Sequence, residues 1–155
     1  MLHAMNRTAR TFTLLALLVC LPWAAHAAKR PKSSLRILHP YSFPTPAPGV
    51  VAVGFLCIDN TGASGDRLLS VSSPAVEHIE IHQMSMSGGV MKMRAQPDGI
   101  AVPAHTTVEF EPGGYHLMLF GPSAALKEGD QVPITLKFAR AGAMQTELVV
   151  EPRRP

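Results

Sequence analysis

No stretch of this chain keeps a helical apolar period for the ~10 residues a helix requires. Strand-sized runs rich in Val, Ile, Leu and Phe follow one another instead, divided by Gly, Pro, Asn and Asp. The runs fall at 35–39, 50–58, 67–71, 76–84, 90–94, 106–110, 115–120, 132–138 and 144–150. Several alternate strictly. Val132, Ile134, Leu136 and Phe138 face one way, while Pro133, Thr135 and Lys137 face the other. Ile79 and Ile81 point inward between His78, Glu80 and His82. Pro133, which has no N–H to donate, favours an edge strand, and SAALKEGD is the one segment able to form a helical turn. Many short strands without helices predict an all-β antiparallel sandwich or barrel.

The N-terminus is built differently. Arg7 and Arg10 precede the uncharged run TFTLLALLVCLPW, and Ala25-His26-Ala27 fits the small-x-small pattern of a cleavage site. The run is too short for a membrane span, and nothing later approaches the ~18 apolar residues one needs. Residues 1–27 therefore read as a signal peptide, 28–34 as a flexible leader, 35–151 as one domain and 152–155 as a tail. Cys20 raises a lipoprotein start, but Val19 stands where that processing favours a small residue. Cleavage after Ala27 leaves 128 of the 155 residues, with 12 basic and 11 acidic side chains. That balance leaves no basic stripe for nucleic acid. Cys57 remains as the single cysteine, so no intramolecular disulfide forms despite an oxidising compartment. Its apolar surroundings read as those of a small packed residue.

The methionines stand out. Of the six beyond the signal, four lie between His82 and Met93, in HQMSMSGGVMKM. Their neighbours are Gln83, Ser85, Ser87, Gly88, Gly89 and Lys92, which describe a solvated hairpin, not the Leu and Val of a core where methionine fills gaps. A second element, YHLMLF, places His116 and Met118 on one strand face, with Leu117 and Leu119 facing the core. Uncharged thioether sulfur is a soft ligand suited to Cu(I), whereas Zn, Ca and Mg favour imidazole, thiolate or oxygen. A lone surface His or Met is usually only solvated or half packed; the joint occurrence gives the pattern its weight.

Between EIHQM, VMKMR, PDGIAVPAHTTVEFEPGGYHLMLFG and LKEGDQVPITLKF, the chain resembles the periplasmic copper chaperones called PCu(A)C. Their pattern is a His, ten residues, a Met, about twenty-one residues and then His-x-Met. Here ten residues separate His82 from Met93, and twenty-two separate Met93 from His116-Leu117-Met118. The extra residue is expected in the turn around 94–98. The resemblance covers roughly residues 50–150. It implies a cupredoxin-like Greek-key β-barrel, one Cu(I) held by His82, Met93, His116 and Met118, and delivery to a copper-accepting protein of cytochrome oxidase assembly. It also implies a periplasmic protein with no catalytic role, expected to be a monomer. Met84 and Met86 stand as supplementary donors, His78 as a solvated residue, His105 as a turn residue and His39 as structural or incidental.

Rival readings are less well served. An electron-transfer cupredoxin needs a cysteine thiolate beside two histidines, and Cys57 lies far from any His-x-Met element. A secreted β-sandwich binding module would present aromatic platforms, yet only Tyr41, Tyr115 and five Phe remain after the signal. Hydrolytic motifs such as G-x-S-x-G and H-E-x-x-H are missing. The export reading has a direct check. Intact mass of the exported protein should begin at Ala28; a lipid-modified mass beginning at Cys20 would overturn it.

Overall fold

A computed structural model describes residues 34–153. The expected signal peptide, nearly all of the leader and the end of the tail lie outside them. Ten strands and no helix make up the described residues: β1 Leu35–Ser42, β2 Ala52–Asn60, β3 Asp66–Ser72, β4 His78–Ser87, β5 Val90–Ala95, β6 Ile100–Val102, β7 Thr106–Phe110, β8 Tyr115–Phe120, β9 Gln131–Phe138 and β10 Gly142–Val150. They form one sheet in the order β5-β4-β8-β7-β2-β1-β10-β9-β3-β6. Neighbours are antiparallel except β1 with β10 and β7 with β8. The first strand thus lies between the second and the last, which is a Greek-key arrangement rather than a meander.

One apolar core unites these strands. Leu56 and Ile58, Leu117 and Leu119, Val132 to Phe138 at alternate positions, and Leu148 with Val150 are all essentially sealed from solvent. Each such side chain stabilises the fold by about 1.5–3 kcal/mol. Gly54 sits where β2 changes partner from β8 to β7. A Cβ there would meet Leu148 Cδ1 at 3.0 Å and Leu119 Cδ1 at 3.3 Å, so the core closes over the missing side chain.

Several expectations need correction. β1 does not stop at His39 but continues to Ser42 through a bulge between Leu38 and Tyr41. His39 adopts a positive φ of 43° there, and Pro40 falls where the ladder is already broken. β6, only three residues long, escaped the sequence pattern. SAALKEGD forms no helical turn: Lys127 O accepts from Asp130 N, and Asp130 Oδ2 accepts from Lys127 N at 2.7 Å. Pro133 does not mark an edge strand, because β9 lies between β10 and β3. The pairing with β3 ends at Ser72 opposite Thr135, so Pro133 lies beyond it and its missing N–H breaks no bond of that ladder. Cys57 faces away from the core shared by Leu56 and Ile58, opposite Glu109 and Leu38.

Two polar side chains tie the loops. Asn60, buried, donates to the carbonyls of Ser64, Val102 and Pro103 and accepts from Gly62 N. Asp66 accepts from the backbone N–H groups of Arg67, Arg140 and Ala141 at 2.8–2.9 Å, joining the start of β3 to the β9–β10 turn. Burial alone would push its carboxyl up, but those three donors and the Arg140 guanidinium hold it below the ordinary carboxylate value. Asp66→Asn should therefore cost about 1–3 kcal/mol at neutral pH, read from urea unfolding. A carboxylate with a lowered native pKa stabilises above its unfolded pKa and loses that contribution as pH falls through the native one. The gap between the two proteins should accordingly narrow below about pH 4.

Candidate metal centre

Strand alternation sets the site. With Leu117 and Leu119 in the core, His116 and Met118 must face outward. β8 lies between β4 and β2, and directly opposed residues on paired strands share a face. Opposite His116 stands His82, and opposite Met118 stand Glu80 on one side and Val53 on the other. β4 continues past the sheet into a hairpin with β5, in unbroken register from His82 opposite Ala95 to Ser87 opposite Val90. Met84 therefore faces Met93, and Met86 faces Met91, all on the face of the two histidines. Gly88 and Gly89, with φ of 59° and 74°, close the hairpin through two positive-φ positions, as a two-residue I′ loop requires. Downstream, Gln96 N bonds Ile81 O at 2.8 Å, and a turn closes from Gly99 N to Gln96 O at 3.0 Å. The hairpin register is thus kept up to the turn, and Met93 stays on the histidine face.

The two histidines are held differently. The His82 and His116 rings lie 5.9 Å apart, centroid to centroid. His116 is 4 % exposed, and its Nδ1 donates to Gly114 O at 3.2 Å, leaving the Nε2 lone pair available. His82 uses the other nitrogen: its Nε2 donates to Glu80 Oε2 at 2.7 Å. Its Nδ1 is buried with no hydrogen-bond partner. A buried polar atom left without a partner costs about 1–3 kcal/mol, and its lone pair is free for a ligand. An N–H anchored on a carboxylate or carbonyl, with the opposite nitrogen free, is the usual support of a metal-binding histidine. Glu80 also lies 3.6 Å from His78, whose ring stacks on Phe120.

Beside these histidines lies a groove of about 570 Å³. Met84, Met91, Met93, Met118 and His116 line it, and Phe43, Phe55 and Val53 form its apolar wall. Arg153 reaches across, its guanidinium 4.9 Å from the centre of the Phe43 ring. Among the described residues, no three His, Cys, Asp or Glu side chains gather to hold a metal ion. Cys57 is not in the groove, and burial, followed by the nearby Glu109 and Glu111 carboxylates, pushes its thiol up and keeps it protonated.

The sequence reading placed His82, Met93, His116 and Met118 in one site, and the structure brings all four to one face. His82 does not line the thioether groove, although Met84, two residues on along the same face of β4, does. Glu80, the Gly114 carbonyl, Phe43, Phe55 and Arg153 escaped it. The spacing of Glu80 two residues before His82 is the one local signal that had been available.

Fold and site together define a cupredoxin-like domain with a face of His and Met donors. The chain belongs to the family described as putative lipoprotein LpqE-like, whose model matches residues 35–150. It is 30 % identical over 82 residues to the putative lipoprotein Lxx21020 of Leifsonia xyli subsp. xyli, covering 53 % of this chain and 49 % of that protein. It is 33 % identical over 84 residues to the uncharacterized protein RP573 of Rickettsia prowazekii, covering 54 % and 46 %. The chain thus spans about half the length of the curated relatives it matches. Among solved structures it is similar to the copper-bound PCuAC domain from PmoF2, with 25 % identity, a TM-score of 0.64, and coverage of 78 % of this chain and 95 % of that one. It also shares the fold of CuI-DR1885 from Deinococcus radiodurans, with 22 % identity, a TM-score of 0.60, and coverage of 82 % and 87 %. The resemblance to PCuAC domains and the all-β cupredoxin-like class therefore hold.

The hydrogen bonds fix both tautomers before any metal arrives. Long-range ¹H–¹⁵N correlation spectra of the metal-free protein should show His82 protonated on Nε2 and His116 on Nδ1. Two histidines with the same tautomer would contradict the arrangement.

Proposed function

We propose that this protein is an exported copper chaperone that binds one Cu(I) ion through His82, Met93, His116 and Met118. It would pass the ion to a copper-accepting protein of cytochrome oxidase assembly in the periplasm. The observation that carries the reading is the partnerless, buried Nδ1 of His82, on the face where thioethers collect. Likeness to a copper-bound PCuAC domain supports it.

The donor chemistry favours Cu(I). Two imidazoles and two thioethers are all neutral, so the ion keeps its single charge and no ligand needs deprotonating beyond the histidines. The Glu80 carboxylate, against the far side of the His82 ring, makes that imidazole a better donor. Met93 is the outermost of the four, 47 % exposed, while His116 is buried. A partner bringing stronger ligands displaces Met93 first and reaches the histidines last, which suits transfer rather than storage. No residue is assigned a catalytic role. The name of the family makes lipid attachment at Cys20 the outcome to be read from the intact mass, with the soluble start at Ala28 remaining our proposal.

Register favours Met93 over Met91 as the proposed donor. Met93 is on the rung next to His82, and Met91 lies one rung, roughly 6–7 Å, further out. Cu(I) titration under a competing chelator tests the set. Met93→Leu keeps bulk and removes sulfur, and should weaken binding by at least about tenfold, ~1.4 kcal/mol. Met91→Leu should leave the affinity of this ion nearly unchanged. Equal loss from both, or displacement of Cu(I) by equimolar Zn, would defeat the assignment.

A further inference from the structure

Four ligands leave Met86 and Met91 without a role. On the face that carries Met84, Met93 and the two histidines, they form the last rung of the β4–β5 hairpin before the Ser87–Val90 pair at its turn. Both are largely in water, Met86 at 66 % and Met91 at 58 % exposed. Four of the nine large apolar side chains exposed among the described residues belong to this one hairpin. A methionine kept for packing is buried, and a residue kept for solubility is polar; these are neither. The segment from Ile81 to Ala95 contains no acidic residue, and its two cations, Lys92 and Arg94, project from the opposite face. Nothing on the rung attracts a hard cation such as Mg²⁺ or Ca²⁺, while two methionines are paired directly across it.

We propose that Met86 and Met91 form an outer, two-thioether site for a soft monovalent cation, the place where the ion first binds. From there the ion steps inward along the thioether rungs, through Met84 and Met93, to the histidines. Each step makes one metal–sulfur bond as another breaks. The metal stays monovalent, and neither protons nor electrons move. Rungs about 6–7 Å apart along the strands are close enough for each transfer to be short. Met91 links the two regions, since it belongs to the exposed rung and also lines the groove. The inner destination rests on the copper reading above; the outer site does not.

Silver(I), a soft monovalent ion that stays in one oxidation state, tests this with the full protein carrying ¹³C-methyl methionine. Two equivalents should bind. The first and tighter one should shift Met93 and Met118, and the second and weaker one should shift Met86 and Met91. The double variant Met86→Leu, Met91→Leu keeps the apolar surface, so it should lose the second equivalent and hold the first within about threefold. A single equivalent that moves only Met93 and Met118 overturns the outer site and leaves the copper reading intact. Retention of the second equivalent in the double variant also overturns it, because the donors of that equivalent then lie elsewhere. Shifts confined to Met86 and Met91 would support the outer site and defeat the four-ligand reading.

Discussion

Everything at the candidate centre depends on the burial of Leu117 and Leu119. These two side chains lie in the core at 0 % exposure and bind β8 to β2 and β4. A strand repeats every two residues, so their burial sends His116 and Met118 to the outer face and forbids a slip by one. Such a slip would turn an imidazole and a thioether into the apolar core in place of two leucines, at a cost of several kcal/mol. The register against β4 then sets His82 opposite His116, and the hairpin register sets Met93 beside it. Placement of the candidate ligands is thus inherited from core packing through the sheet, not built by those residues themselves.

That inheritance has a consequence for the polar atoms. A barrel that hydrogen-bonds its backbone in ladders leaves few groups unpaired, and buried ones are the exception. His82 Nδ1 is such an exception. Glu80 anchors the ring through the opposite nitrogen. His116 obtains the same result from a backbone carbonyl two residues away. One anchor is a side chain and the other is main chain, so a mutation can remove the first without touching the second.

The all-β architecture was legible because alternation and turn chemistry are local properties. β9 shows this well: its four apolar positions, read from the sequence, are the ones buried. Face-sharing within one strand was legible for the same reason, as with His116 and Met118. Contacts between distant segments were not. Nothing local announces that Arg153 crosses to Phe43, that Phe55 and Phe43 wall the groove, or that β1 lies parallel to β10. Pro133 misled for a related reason. Its lost N–H demands an unpaired side, but a short neighbour provides one inside the sheet, because β3 ends before reaching it. Cys57 misled because a continuous apolar run hides which side of the strand each residue takes.

The hairpin that carries most of the sulfur is the least supported part of the domain. β5 pairs with β4 alone, and all six of its residues are exposed. An edge strand of this kind invites pairing with other chains, and Lys92 and Arg94 on its back are the usual defence. Core packing therefore contributes little to holding the hairpin, and its register is kept by ladder bonds and the Gly88-Gly89 turn. A rigid cage would hold an ion tightly and release it slowly. On the proposed reading, His116 and Met118 on the barrel would fix where the ion sits, and Met93 on this weakly held arm would set how readily it leaves.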